Sequence, residues 1–424
     1  MRRRDFLHGA AAATLLGASA RASSAVPAKA RVVVVGGGYG GATTAKYVRL
    51  LSQHRIEVVL IEPNDVFVSC PVSNLVIGGN RKMADITMPY TGLVRHHGIT
   101  MVRDRVTSID AERKQVRLQR GDPIRYDKLV VSPGVELMFD RIEGLAEAHA
   151  SGRILQAWHA GAETLALRRQ LEAMPDGGVY AIAIPEEPFR CPPAPYERAS
   201  QVAWYFKQAK PRSKVIIVDA NPDVISKGPL FKRAWAELYP GMIEYRPQSM
   251  LAGVDAAQGV LHFQIQDDVK ADVINALPPM RAGRIAVDAG LANMAGGHWC
   301  GVNYLNFKST VAKDVHVLGD AIQIAPGMSK SGHMANGEGK VAAAAIVAEL
   351  AGWPVDPAPM LTNTCYSFVD DRHAMHIAGV LAWNPDKKTW GPVEGAGGLS
   401  DAPNEEEGRL AASWARNIWA DTLG

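Results

Sequence analysis

Arg31-Val32-Val33-Val34-Val35-Gly36-Gly37-Gly38-Tyr39-Gly40-Gly41 is a β-branched run that empties into glycine. Four consecutive valines suit a strand covered on both faces, as in the middle of a parallel sheet. Gly36, Gly38 and Gly41 fill the pattern G-x-G-x-x-G. The first glycine of that pattern allows a tight turn, the second lets a pyrophosphate approach the backbone, and the third lets the next helix pack against the strand. Residues 42–52 read as that helix, its N-terminus turned to the phosphates. A second strand over 56–61 ends at Glu62, about 20 residues past Gly41, where a carboxylate accepts from ribose hydroxyls. Strand, glycines, helix, strand and acid in register specify a dinucleotide site.

A second signal lies far along the chain. The apolar run 315–318 ends in Gly319-Asp320, and an Ala-rich helix begins near Gly332. Between the two, Tyr126-Asp-Lys-Leu-Val-Val-Ser-Pro-Gly134 reads as a connecting strand. The three segments in this order resemble the flavoproteins with two dinucleotide-binding domains. The resemblance implies FAD, with Asp320 on the ribityl chain. It implies an α/β fold: two Rossmann-like domains arranged as in glutathione reductase, plus a small C-terminal α+β interface domain. The expected division is residues 30–143 with 285–355 for FAD, 144–284 for the second Rossmann-like unit, and 356–424 for the interface domain.

The second unit has strands, over 178–184 and 214–219, but no glycine-rich loop between them. Pro185-Glu-Glu-Pro-Phe-Arg-Cys191-Pro-Pro-Ala-Pro-Tyr-Glu197 stands there instead. Proline has no N–H for a phosphate, side chains block close approach, and Glu186 and Glu187 repel a pyrophosphate. This sequence predicts a Rossmann-like domain without an NAD site, and rapid flavin reduction by NADH would show otherwise. Cys191 precedes a helix opened by prolines, a placement that favours the thiolate.

The four cysteines, Cys70, Cys191, Cys300 and Cys365, form no C-x-x-C, which argues against a zinc knuckle. There is also no C-x-x-C-H for haem. Phe189-Arg-Cys191-Pro-Pro-Ala-Pro-Tyr-Glu197-Arg-Ala-Ser, Val68-Ser-Cys70-Pro-Val-Ser-Asn and Asn363-Thr-Cys365-Tyr-Ser resemble the flavoprotein subunit of flavocytochrome c sulfide dehydrogenase. The resemblance implies a thioether from Cys70 to the flavin and a redox disulfide between Cys191 and Cys365. It further implies Glu197 as a proton acceptor, sulfide as substrate, and a c-type cytochrome subunit, bound permanently or transiently. From the residues alone, Cys70 as an unmodified cysteine and the pair as a structural staple stay open. Cys300 reads as a packed apolar side chain. Sulfide:quinone oxidoreductases share the expected fold and are the main rival; a non-catalytic FAD-binding subunit is another.

The remaining sequence bounds the setting. Its 424 residues carry 46 basic and 43 acidic side chains, a net charge of +3 that gives no case for nucleic acid. Arg2-Arg3-Arg4-Asp5-Phe6-Leu7, a small-residue apolar stretch and Ala20-Arg-Ala22 read as a twin-arginine export signal over residues 1–28, hence the periplasm. Beyond it no apolar run reaches the ~18–20 residues that span a bilayer, so no membrane insertion is expected. Near the C-terminus, strands over 366–369 and 374–383 precede a glycine-rich loop over 391–398. His373 and His376, three apart on a strand, would face opposite ways and not share a metal. Leu410, Trp414, Ile418 and Leu423 mark one face of a last helix that packs on its own domain rather than on a membrane.

Overall fold

The computed structural model describes residues 26–27 and 29–424. Apart from Val26 and Pro27, the export signal read over 1–28 lies outside the described residues. Strand β1 (Arg31–Val35) leads to helix α1 (Tyr39–Leu51), β2 (Glu57–Ile61), β3 (Thr100–Val102) and β4 (Lys128–Val131). β1 lies parallel between β2 and β4, with Val33 opposite both Val59 and Leu129. Val32, Val33 and Val34 are wholly buried, each contributing about 1.5–3 kcal/mol of transfer free energy. Helix α1 starts at Tyr39 rather than at 42, because Gly38 already has N-cap geometry and the last two glycines enter the helix.

The second unit is a four-stranded parallel sheet of β5 (Val179–Ile184), β6 (Lys214–Asp219), β7 (Ile243–Arg246) and β8 (Val273–Ala276), in the order β7-β6-β5-β8. Helix α2 (Ala194–Ala209) connects β5 to β6, and α3 (Gly228–Leu238) connects β6 to β7. This is a Rossmann-like βαβαβ crossover.

The chain then returns to the first sheet. β9 (Val315–Val317) pairs parallel with β4 and ends at Gly319-Asp320. Helix α4 (Gly332–Ala351) follows, capped by the Ser331 hydroxyl, which accepts from the Met334 N–H at 3.1 Å. It crosses α1 so closely that a Cβ on Gly339 would lie 2.7 Å from the Gly40 carbonyl oxygen.

The last segment forms an antiparallel sheet of β10 (Met360–Phe368), β11 (Ala374–Asn384) and β12 (Thr389–Leu399), followed by helix α5 (Glu405–Leu423). Two Rossmann-like units and a C-terminal α+β layer are the architecture the motifs imply. Two local expectations need correcting. The glycine-rich stretch 391–398 is strand, not loop: it pairs with β11, and a Cβ on Gly397 would meet the Ala378 carbonyl oxygen at 2.5 Å. The buried face of α5 is Gly408, Ala411, Ala415, Ile418, Thr422 and Leu423, while Leu410 is exposed. Small residues let this helix lie close to the body, which turns Leu410 outward. Among the described residues no helix is long and apolar enough to cross a membrane.

Candidate active site

One cavity of 1170 Å³ runs between the two units, lined by Gly36, Gly38, Glu62, Cys70, Gly134, Cys191, Gly319 and Asp320 among others. At one end Gly36 has φ 98°, and a Cβ there would meet the Ser132 carbonyl oxygen at 2.3 Å. Gly41 does not line the cavity; it sets the packing, since its Cβ would lie 1.9 Å from the Gly36 carbonyl oxygen. Gly38 faces open space, and no side chain caps the α1 N-terminus behind it. Glu62 accepts from the Gly37 N–H at 2.8 Å and from the Asn64 backbone at 2.9 Å. Its carboxylate is thereby oriented, with lone pairs to spare for ribose hydroxyls.

Gly319 (φ 76°) turns the chain so that Asp320 faces the cavity. The Asp320 Oδ1 is buried and has no hydrogen-bond partner among the described residues. Burial pushes this carboxyl up, against Arg190 and Lys330, which pull it down. An orphaned acceptor on a cavity wall suits the hydroxyls of a ribityl chain. An uncapped helix N-terminus at one end of the cavity and this acceptor at the other fit FAD.

The loop 185–193 closes the cavity on the other side. Its backbone is tied to Asn221, whose side chain accepts from the Glu187 N–H at 3.0 Å and donates to the Pro185 carbonyl at 3.0 Å, while Glu186 and Glu187 are exposed. Asp219, which ends β6 where a ribose-binding acid would stand, is fully buried. It accepts from Tyr196 at 2.7 Å, Tyr245 at 3.0 Å and the Asn221 N–H at 3.0 Å. Those internal donors take up the carboxylate that would otherwise bind the adenosine ribose of a nicotinamide dinucleotide.

Cys191 sits in the left-handed region (φ 58°), at a cost on the order of 1 kcal/mol for a residue with a side chain. Its N–H donates to the Lys330 carbonyl at 2.7 Å, tying the loop to the flavin side. Cys365 enters from β10 and interacts electrostatically with Cys191. All four cysteines are free thiols in the structure. Glu197, buried on the first turn of α2, acts on both sulfurs. Its two oxygens accept from the Phe368 N–H at 2.9 Å and the Asn74 side chain at 2.7 Å. Burial still raises the Glu197 carboxyl above its usual range, against those donors and the cations Lys227 and Arg198.

The expectation of a favoured thiolate at Cys191 is overturned. Burial pushes this thiol well up, Cys365 and Glu197 add to the rise, and Arg190 and Lys227 only partly oppose it. The helix terminus is too weak a dipole to offset loss of solvent and two neighbouring acids. Cys300 is buried, its thiol pushed up to about 12 by burial, in keeping with a packing role. His373 lies just before β11 and pairs with Asp370 at 2.7 Å, while His376 pairs with Glu407 at 2.7 Å. No three His, Cys, Asp or Glu side chains gather as a metal site among the described residues.

Three cations escape a reading of motifs. Arg190 lines the cavity, donates to the Trp158 carbonyl and faces Cys70, Asp320 and Cys191. Lys330 donates to the Asp320 and Ile322 carbonyls and lies 3.5 Å from the centre of the Trp299 ring. Lys227 reaches the Cys365 carbonyl. Only Arg190 left a trace in the sequence, as the residue before Cys191.

Comparison with known proteins supplies the family. Residues 164–278 match the family described as sulfide dehydrogenase [flavocytochrome c] flavoprotein chain, central, and 357–423 match flavocytochrome c sulphide dehydrogenase, flavin-binding. Residues 30–168 match pyridine nucleotide-disulphide oxidoreductase. The sulfide dehydrogenase [flavocytochrome c] flavoprotein chain of Chlorobaculum thiosulfatiphilum is 63% identical over 46 residues, 11% of this chain and 94% of that sequence. The mitochondrial sulfide:quinone oxidoreductase of Dictyostelium discoideum is 26% identical over 63% of this chain and 60% of its own length. The sulfide-quinone reductase of Aquifex aeolicus is 35% identical over 43% and 41%. This chain thus spans about 60% or less of the length of these two curated relatives. Among solved structures, the sulfide:quinone oxidoreductase of Aquifex aeolicus superposes with a TM-score of 0.76 at 20% identity, covering 93% of this chain and 91% of that one. Sequence, fold and cavity agree: the chain belongs to the flavoprotein family of flavocytochrome c sulfide dehydrogenase.

Proposed function

We propose that this chain is the flavin subunit of an exported, periplasmic sulfide dehydrogenase that delivers electrons to a c-type cytochrome. What supports the reading is that Cys191 lines a cavity suited to FAD and lies within electrostatic reach of Cys365 and Glu197. Bound flavin would accept an electron pair and release it singly, which suits a one-electron haem partner. Gly36, Gly38 and Glu62 would hold its adenosine diphosphate half, Asp320 the ribityl chain, and Cys70 a thioether to the ring.

The chain's own steps concern sulfur. Sulfide, mostly HS⁻ near neutral pH, attacks one sulfur of a Cys191–Cys365 disulfide. A new S–S bond forms, the old one breaks, and the other cysteine leaves as thiolate. The persulfide proton passes to Glu197, whose raised carboxyl keeps it basic enough to take one. In sum, one HS⁻ yields one sulfur atom at the zero oxidation state, which leaves as sulfur or polysulfide, one proton and an electron pair for bound flavin to accept, and the Cys191–Cys365 disulfide is re-formed.

A sulfide:quinone oxidoreductase is the second reading, favoured by the larger share of the chain that those relatives match. Against it, α5 is fastened to the body: Asp421 accepts from Tyr47 at 2.7 Å and from Asn336 at 2.9 Å. Two measurements test the proposal. Anaerobic sulfide should bleach the flavin of the natural protein, and Cys191→Ser should slow bleaching at least a hundredfold; unchanged bleaching rejects the sulfur pair. The reduced protein should then be reoxidised by a c-type cytochrome in detergent-free solution. Reoxidation by a short-chain quinone alone would favour the second reading. The mass of the acid-denatured Cys70 peptide, with or without an FAD-sized adduct, decides the thioether.

A further inference from the structure

Lys227 is a buried lysine whose partner is not an acid. It lies between β6 and α3 in left-handed backbone (φ 57°), 4% exposed, and its Nζ donates to the Cys365 carbonyl at 2.8 Å. The charged and titratable groups facing it are Cys365, Glu197, Cys191 and Glu407. Both acids already have partners. Glu197 accepts from the Phe368 N–H and Asn74, and Glu407 accepts from His376 at 2.7 Å and Ser400 at 2.6 Å. The other nearby cations are committed elsewhere. Arg198 donates to Asn74, Gln156, Ala157 and Asn275, and Arg190 faces the flavin cavity. Burial lowers the Lys227 ammonium, and of the groups that hold it up Cys365 is the strongest, ahead of Glu197, Cys191 and Glu407.

Opening a disulfide turns a neutral group into an anion. Cys191 and Cys365 are both half-buried, so solvent compensates such a charge only in part and a nearby cation stabilises it. We propose that Lys227 is the positioning residue that balances negative charge on Cys365 whenever the sulfur pair is open. The inference rests on the reading of Cys191 and Cys365 as the reacting pair. It makes the two sulfurs electrostatically unlike: Cys191 lines the flavin cavity and feels Arg190 ahead of Lys227, whereas Cys365 feels Lys227 first. The Cys365 thiol is pushed up by burial, with Lys227 the largest influence pulling it back.

The test labels the reduced holoprotein with methyl methanethiosulfonate, a small neutral thiol reagent, and follows the Cys365 and Cys191 peptides by mass spectrometry between pH 6 and 10. Lys227→Met removes the charge and the hydrogen bond; Lys227→Gln removes the charge but keeps a donor for the carbonyl, which guards against misfolding. In both, Cys365 labelling at pH 8 should fall about tenfold or more, the effect of one pKa unit, and Cys191 labelling should fall less. Lys227→Arg should restore the natural rate to within about twofold. Unchanged Cys365 labelling in Lys227→Gln, with flavin absorbance intact, overturns the proposal. Labelling of the unreduced protein separates the two ideas. If Cys191 and Cys365 react fully without reductant, the redox-pair reading fails on its own, while the Lys227 comparison still reads the charge on Cys365.

Discussion

A methyl group on Gly41 would sit 1.9 Å from the Gly36 carbonyl oxygen, and one on Gly38 would meet nothing within 4 Å. The two glycines therefore serve different ends. Gly41→Ala forces α1 off β1 and should cost about 3 kcal/mol or more; a lower thermal midpoint with flavin lost on purification is the expected outcome. Gly38→Ala should leave the apoprotein's midpoint within about 0.5–1 kcal/mol of natural and instead weaken FAD binding, read by flavin content. Equal destabilisation by both would mean the loop is not built around a phosphate. These glycines were legible in the sequence because their need is steric and local. Gly319 and Asp320 were legible for the same reason. Lys227 and Lys330 were not, since a lone lysine gains a role only from the charges the fold brings to it. The thiol of Cys191 shows the converse: the local rule favoured a thiolate, and burial beside Cys365 and Glu197 reversed it.

Helix α4 illustrates what an element adds to its residues. Its sequence is mostly small and apolar, yet it carries a buried carboxylate, Glu338, which accepts from the Gly319 N–H at 2.5 Å. Burial raises this carboxyl to about 8, with Asp320 adding to the rise and the Gly319 N–H and Lys330 opposing it. A carboxyl raised in the folded state stabilises fully only below its unfolded value, near 4.3, and that contribution is lost as pH climbs through 8. Stability of the flavin-free protein should thus fall between pH 5 and 8. Glu338→Gln keeps an acceptor for Gly319 and removes the titration, so its thermal midpoint should change less over that window. Parallel pH profiles for the two proteins would show that Glu338 titrates in the folded state as it does in the unfolded chain, and would overturn the shift. Pattern alone misleads most where side chains are small. Residues 391–398 read as a loop because glycine is a poor strand former, but pairing with β11 supplies the hydrogen bonds that make them part of β12. The apolar face of α5 was read from its large residues, while close packing selected Ala411 and Ala415.

At the scale of the molecule, the site exists only where three parts of the chain meet. Cys70 and Asp320 come from the flavin-binding unit, Cys191 and Glu197 from the second unit, and Cys365 from the C-terminal layer. Motifs in the sequence specify the fold of each unit, but the proposed pairing of Cys191 with Cys365, 174 positions apart, comes only from resemblance. The C-terminal layer is held in place at its far end by α5. Asp421 accepts from Tyr47 at 2.7 Å and Asn336 at 2.9 Å and pairs with Lys340 at 2.7 Å, while Lys46 donates to the backbone carbonyls of residues 420 and 421. Although burial opposes it, these partners hold the Asp421 carboxyl below its ordinary value. A lowered carboxyl contributes stability above its unfolded pKa, near 3.9, and loses it as pH falls through the folded value. Asp421→Ala should therefore cost about 2 kcal/mol at pH 7, and the gap to the natural protein should close below about pH 4. Because β10 carries Cys365 and belongs to the same layer, loosening α5 should also slow sulfide bleaching, while FAD content is retained. If Asp421→Ala lowers the midpoint yet leaves bleaching at the natural rate, the layer holds Cys365 without help from its terminal helix, and the sulfur pair is fastened by β10 and Lys227 alone.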